Sequence, residues 1–492
     1  MNNNDILNYT IFTERGTKKM KKTSLIILLG LVMNQSVYGW DEVKIKNQNI
    51  QSEVYEEEGI LYANPMLLEK GEVWHIVKNG DKVFAELQIG TDKRIEFVEL
   101  PSRIKEKKNY IDFSFFSHQA GLDYVYNKKK KELVITKQKK KPEPDMKENT
   151  QKIIYMWDPE ISYRSVNSYF TKNYGKRILS PTWGSYKTLD ETPIPLPLTY
   201  LKEAKKEHIK IEPLLHNDFD IAATKKLMND KKEILHMADR MAAIAVVYDF
   251  NGWNLDFENM DMADKEKYTE FIKEVANSLH QQKKNLSADI TVYDVNSPNW
   301  SLCYDREALS EFVDYEIVMG YDQTPGGSAY PGSTSSYDWL DKHILKLLTM
   351  IPKEKLILGL PLYTRVWRGD SGNAKSSVLT LRYTKEFINR HHLKAHWDNT
   401  KKQYISNWIE KGVPHQVWFE EYRSLAEKLK LIDKYELPGT AFWRYGFEEE
   451  DLYSELEKGD MTKDVFAPQR QNYGDELILR FKNKMKRAIK SN

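Results

Sequence analysis

From Ile153 to about residue 458 the sequence repeats one alternation, a short apolar run followed by a segment with helical periodicity. The runs are "IIYMW", "RILSPTW", "IKIEPLL", "GWNLDF", "LSADITV", "YEIVMGY", "KLILGLPL" and "TAFW". A strand that reads as a nearly continuous apolar run is buried on both faces, which requires a parallel sheet, and each parallel neighbour needs a crossover helix. Eight such units predict an α/β fold, a (β/α)8 TIM barrel. The span exceeds the roughly 250 residues of a plain barrel. The surplus falls at about 368–418, between the seventh and eighth runs, and predicts a small α+β insertion before the last strand.

The flanks read differently. Residues 41–137 alternate short apolar runs with charged turns, as in "VWHIVKNGDKVFAELQI" and "RIEFVEL", and predict a small β-rich domain with a short helix around Phe113 to Ala120. Residues 138–151 are charged, carry two prolines and lack an apolar period, so they read as a linker. Residues 1–39 form an N-terminal extension and a secretory signal: "MKKTSLIILLGLVMNQSVYG" has Lys21 and Lys22, an apolar run from Leu25 to Met33 and a neutral end at Gly39. Export from a bacterial cell is therefore expected. The basic tail, 459–492, places Leu477, Phe481, Met485 and Ile489 four residues apart, the spacing of an amphipathic helix.

Composition narrows the function. Lys and Arg number 74 against 72 Asp and Glu, a net charge of +2 that gives no reason to expect nucleic acid as a partner. Cys303, the single cysteine, excludes a disulfide framework and a Cys-based metal cluster. His391, His392 and His396 fall together but lack acids at ligand spacing, so no metal and no other cofactor is expected. A Gly-rich phosphate loop and a G-x-S-x-G elbow are both lacking. The 12 Trp and 29 Tyr are numerous, and their flat apolar faces with polar edges suit either a core or a sugar ring.

The chemistry concentrates in "FNGWNLDFENM", residues 250–260. Along a strand Gly252, Asn254, Asp256 and Glu258 share one face, while Trp253, Leu255 and Phe257 share the other. In a barrel the first set looks inward and reaches the carboxyl end of the strand, the rim where such barrels hold their active sites. Two neighbouring carboxylates repel when both are ionised, so one is held protonated near neutral pH. A protonated Glu is a general acid.

This stretch resembles the signature of glycoside hydrolase family 18, in which D-x-D-x-E lies on the fourth barrel strand. The resemblance continues in order through "LSPTW" at 179–183, "SPNWSLCYDREALSEFVDYEIVMGYDQ" at 297–323, "LGLPLYTRVW" at 358–367 and "PGTAFWRYG" at 438–446. Its branch is similar to the bacterial spore and cell-wall group, which includes cortex-lytic N-acetylglucosaminidases. The LysM wall-binding repeats common in that group are not seen here. Separately, the stretch ending "GLDYVYNKKKKELVIT" resembles the end of the copper amine oxidase N-terminal-like domain, a resemblance that implies no copper.

The family resemblance implies a retaining, metal-free mechanism on β-linked N-acetylglucosamine glycans. Peptidoglycan or spore cortex is the expected substrate; chitin oligosaccharides, or glycan binding without turnover on the same barrel, are the alternatives. Glu258 would protonate the glycosidic oxygen while the substrate's own 2-acetamido oxygen attacks the anomeric carbon. Asp256 would hold the acetamido N–H, and Tyr321, in "MGYDQ", would support the acetamido oxygen. Asn254, Asp322, Trp443, Arg365, Trp183, Asn217 and Tyr293 are the candidate substrate-binding residues, Trp443 as the floor of the sugar subsite. Two positions depart from the family pattern: Asn251 and Asn254 stand where it has Asp. Asn254 could donate to Asp256 but could not share a proton with it, which leaves the proton cycle open. A monomer is expected.

Overall fold

The computed structural model describes residues 42–46, 53–70, 76–89, 94–120, 122–130, 132–137, 152–161, 175–190, 195–449, 451–453, 455 and 466. The proposed signal, the linker and the tail helix lie outside them. Two compact units divide the chain: described residues up to Met319 with 345–359 and 436–445, and residues 320–344 and 360–435 with those from Gly446 onward.

The first unit holds the barrel. Its parallel strands are Ile153–Asp158, Lys176–Ser185, Leu214–His216, Gly252–Asp256, Asn285–Thr291, Tyr315–Met319, Leu356–Pro361 and Gly439–Trp443, taken below as the first to eighth. The short strand Lys210–Ile211 pairs with the second strand just ahead of the third. The first strand pairs with both the second and the eighth, closing the sheet. The eight-stranded parallel barrel and its crossover helices are therefore as the apolar runs predict.

Alternation sorts each strand's side chains. On the fourth strand Trp253 faces outward and donates from Nε1 to the Met241 carbonyl (2.9 Å) on helix Lys231–Val247. Just beyond its end Phe257 packs on Tyr268 and Phe271 of helix Lys265–Gln281. Close strand approach at barrel closure requires glycine at one end: a Cβ on Gly439 would lie 2.2 Å from the Ile153 carbonyl oxygen.

The same unit contains three small antiparallel sheets ahead of the barrel. Helix Phe113–Gln119 lies among them. Two of their segments meet the barrel. Arg94 Nη2 donates to the fully buried Asp239 (3.1 Å), and Tyr248 donates from its hydroxyl to the Glu99 carbonyl (2.7 Å).

In the second unit five antiparallel strands run in the order Lys375–Thr380, Tyr363–Arg368, Val413–Phe419, Gln403–Glu410 and His396–Asp398, with helix Leu381–Arg390 between the first and last of these in sequence. This is the inserted α+β layer. Its sheet begins at Tyr363, ahead of the expected start near residue 368.

Substituting Gly439→Ala forces a methyl group against backbone that cannot rotate away. The expected loss is about 1–3 kcal/mol, the usual range for overpacking, seen as a lower urea midpoint with an unchanged slope; an unchanged midpoint would show that the barrel relaxes around the extra methyl.

Candidate active site

The inward residues of the fourth strand end at the barrel mouth. Asn254 is 0% exposed. Its Oδ1 accepts from Trp157 Nε1 (3.1 Å) and Ser180 Oγ (3.4 Å), and its Nδ2 donates to Ser287 Oγ (3.1 Å) and Asp289 Oδ1 (2.9 Å). All of these partners lie inside the barrel on the first, second and fifth strands. Two expectations fail at this residue: Asn254 is sealed beneath the site and cannot touch substrate, and its amide goes to Asp289 and Ser287 instead of Asp256.

Asp289 is the residue that sequence reasoning missed. It sits on the fifth strand, buried, with Oδ2 accepting from Trp157 Nε1 (3.0 Å). Burial holds its carboxyl well above the ordinary range, and the nearby charges of Asp256 and Glu258 push the same way. Asp256 is the last residue of the fourth strand. Its Oδ1 is buried without a hydrogen-bond partner, and burial raises its pKa to about 7. The like-charge problem therefore spans two strands, where the sequence placed it between Asp256 and Glu258 alone.

Glu258 follows two residues after the strand, partly exposed. Its backbone is clamped from the third strand's loop: its N–H donates to Asn217 Oδ1 (3.0 Å), and Asn217 Nδ2 donates to its carbonyl (2.7 Å). Asn217 is buried, so it positions the Glu258 segment rather than contacting a sugar. Farther along, Asn259 Nδ2 donates to the Phe219 carbonyl (3.0 Å) and Met260 N–H to the Asn299 carbonyl (2.9 Å). His216, opposite Asp256 in register, also escaped the sequence reading. Burial lowers its pKa, favouring the neutral ring.

The remaining candidates separate. Trp443 ends the eighth strand, partly exposed, its ring 5.8 Å from that of Trp157. Trp183 is 4% exposed, sits at an irregularity between Thr182 and Gly184 in the second strand, and packs edge-on against Trp253 on the outward face. It belongs to the core. Tyr293, beyond the fifth strand, is covered by the cations of Lys346 (4.9 Å) and Arg306 (5.6 Å).

In the second unit Asp322 Oδ1 accepts from the Tyr363 hydroxyl (2.7 Å) and Arg365 Nη2 (2.9 Å), and the Tyr321 ring lies 6.4 Å from that of Tyr363. Arg365 is on the first strand of the inserted sheet, so within this unit it is a partner of Asp322. Of the histidine cluster, His391 pairs with Glu410 (3.4 Å) and meets the Phe387 ring.

These features have known counterparts. The chain matches the glycosyl hydrolases family 18 across residues 191–448, more than half its length, and belongs to that family. It is 26% identical over 314 residues to the uncharacterized glycosylase YvbX of Bacillus subtilis, covering 62% of this chain and 90% of that one. To the cortical fragment-lytic enzyme of the same organism it is 24% identical over 225 residues, 45% of this chain and 52% of that enzyme. Among solved structures, a chitinase from Chromobacterium violaceum superposes with a TM-score of 0.56 at 19% identity, covering 64% of this chain and all of that one. The Bacillus cereus spore cortex-lytic enzyme SleL gives 0.55 at 19%, covering 64% of this chain and 76% of that one. At such identities the structural likeness establishes the fold.

A carboxyl whose pKa rises on folding keeps a proton that the unfolded chain gives up, so stability falls as pH climbs from the unfolded value, about 3.9, through about 7. Thermal melts of the native protein and of Asp256→Asn at about pH 5 and about pH 8 test this. The native protein should lose more stability across the interval than the variant; parallel losses would remove Asp256 as the cause.

Proposed function

We propose that this chain is an exported glycosidase that cleaves β-linked N-acetylglucosamine glycans, with peptidoglycan or spore cortex as the substrate class, by a retaining, substrate-assisted mechanism. The observation that carries the reading is the acid constellation at the barrel mouth: Glu258 on a clamped backbone beside Asp256, whose carboxyl stays protonated up to about pH 7.

In the reaction, the acetamido carbonyl oxygen of the substrate attacks its own anomeric carbon as the bond to the glycosidic oxygen breaks, and that oxygen takes the proton of Glu258. The family is an exception to the two-carboxylate scheme of retaining glycosidases, since the substrate supplies the nucleophile. Asp256 faces the acetamido N–H and opposes the positive charge of the oxazolinium-like intermediate. Glu258, now ionised, removes a proton from water as the water attacks the same carbon and reopens the ring. The two displacements return the original configuration and the proton of Glu258.

Preference for a wall polymer draws on the relatives, one of which is a cortical fragment-lytic enzyme. It also draws on an aromatic shelf. Phe219 is 53% and Trp300 42% exposed, their rings 5.8 Å apart. Both stand on segments bonded to the residues just after Glu258. Exposed rings in contact are a surface for the apolar face of a sugar.

Incubation of the native protein and Glu258→Gln with purified peptidoglycan, cortex and chitin oligomers, with products read by mass spectrometry, tests the reading. The variant should bind glycan yet turn over about 10²- to 10⁴-fold more slowly, the usual contribution of a general acid. Equal product from both proteins would sink the assignment. Trp300→Ala should weaken binding of long glycan strands roughly fivefold, about 1 kcal/mol of ring contact, and leave a disaccharide unaffected; equal affinity for long strands would remove the shelf from the account.

A further inference from the structure

We propose that Asp289 is the proton-sharing partner of Asp256: a single proton lies between the two carboxyls and passes from Asp256 to Asp289 as positive charge develops on the substrate. The role in turnover rests on the glycosidase reading above; the pairing of the two acids does not.

Register carries the first part of the argument. The fourth and fifth strands run parallel with Asn254 opposite Ser287 and Leu255 opposite Ala288. Continuing the pleat by one residue sets Asp256 against Asp289, both on the interior face already marked by Asn254 and Ser287. Asp289 is the deeper of the two, since its carboxyl reaches the Asn254 amide and the Trp157 indole, which form part of the barrel's buried packing.

The hydrogen bonds decide where the proton rests. Each oxygen of Asp289 receives an N–H, from Asn254 on Oδ1 and Trp157 on Oδ2, and such donors favour the carboxylate. The buried Oδ1 of Asp256 receives none. Burial raises both carboxyls, but only Asp289 has donors that offset it, so in the proposed pair the resting proton is placed on Asp256 and the negative charge on Asp289. The other ionisable groups that sense Asp289 are Glu258, Tyr155 of the first strand and Tyr268 of the helix after the fourth. Burial raises both tyrosines well above their ordinary range, so they stay neutral. From the sixth strand the residue opposite Asp289 is Ile317, which carries no charge.

When the acetamido group becomes cationic, a neutral Asp256 opposes it poorly. Transfer breaks the O–H bond of Asp256 and forms one on Asp289; the pair keeps one proton and one negative charge, which now lies beside the substrate. Asp289 never touches the sugar and is a positioning residue. This arrangement also accounts for Asn254: with the second acid on the fifth strand, the fourth strand supplies the amide that holds it.

The test exchanges the two residues. Asp289→Asn removes the proton acceptor, whereas N254D/D289N moves the acid to the fourth strand and preserves the pairing, since the amide of the new Asn can donate to the new carboxylate and Trp157 still finds an acceptor on either side. Infrared titration of the protein without substrate, together with pH profiles of kcat, reads both. The native protein should show a carboxyl titrating near 7 that is absent from Asp256→Asn. In Asp289→Asn this titration should fall below 7 yet stay above the ordinary carboxylate range, since Asp256 remains buried, and kcat should drop about 10²-fold with KM little changed. The exchange variant should recover both the titration and most of the rate.

An unchanged titration in Asp289→Asn, or an exchange variant that folds like the native protein yet stays as slow as Asp289→Asn, would overturn the proposal. If Asp289→Asn does not fold, the exchange variant decides alone: folded but lacking the titration near 7, it contradicts the pairing. Should the native protein turn over none of the glycans, the glycosidase reading fails, and the titrations still decide whether Asp256 and Asp289 share a proton.

Discussion

A carboxyl group inside a closed apolar barrel is the constraint around which this site is organised. Transfer of an isolated ionised carboxylate into such a place costs many kcal/mol, so it must be neutralised or surrounded by donors. Asp289 obtains donors from Asn254 and Trp157, and Asn254 is in turn fixed by Ser180 and Ser287. Each hydrogen bond to a charged group contributes about 1.5–3 kcal/mol, and losing one partner leaves the other buried and unsatisfied. The network thus joins the first, second, fourth and fifth strands beneath the site.

Above that floor, the proposed acid depends on backbone clamping. Glu258 stands past the end of its strand, where no sheet hydrogen bonds hold it. Asn217 replaces them with a reciprocal pair of bonds, and Asn299 continues the clamp at Met260. In the proposed reaction Glu258 is the general acid and must be held within hydrogen-bond reach of one oxygen atom, so there this rigidity would serve the chemistry as well as the fold.

Much of this was legible in the sequence. Eight buried parallel strands leave eight apolar runs, and plain alternation assigned Trp253 to the helices and Asn254 to the interior. The start of the inserted sheet was hidden because Tyr363–Arg368 follows the seventh strand after Leu362 alone, so the two strands read as one run. Trp183 was misjudged because a Trp near a strand end invites a sugar-stacking role, and the irregularity between Thr182 and Gly184 that turns it onto Trp253 leaves no sequence pattern. Asp289 was missed because a lone Asp in "LSADITV" carries no motif; its signal was an acid at an inward position on the strand next to an Asn where the family has Asp. The hydrogen bonds around Asn254 depend on side-chain placement across four strands, which no local pattern encodes.

In the proposed function Glu258 and Asp256 serve a reaction in which the substrate's acetamido group is the nucleophile. Proton NMR of the first-formed reducing ends, recorded before mutarotation, tests it directly. Retention through the oxazolinium-like intermediate predicts that the β-anomer appears first and decays to the equilibrium mixture. First appearance of the α-anomer would mean direct attack by water, and would contradict the account.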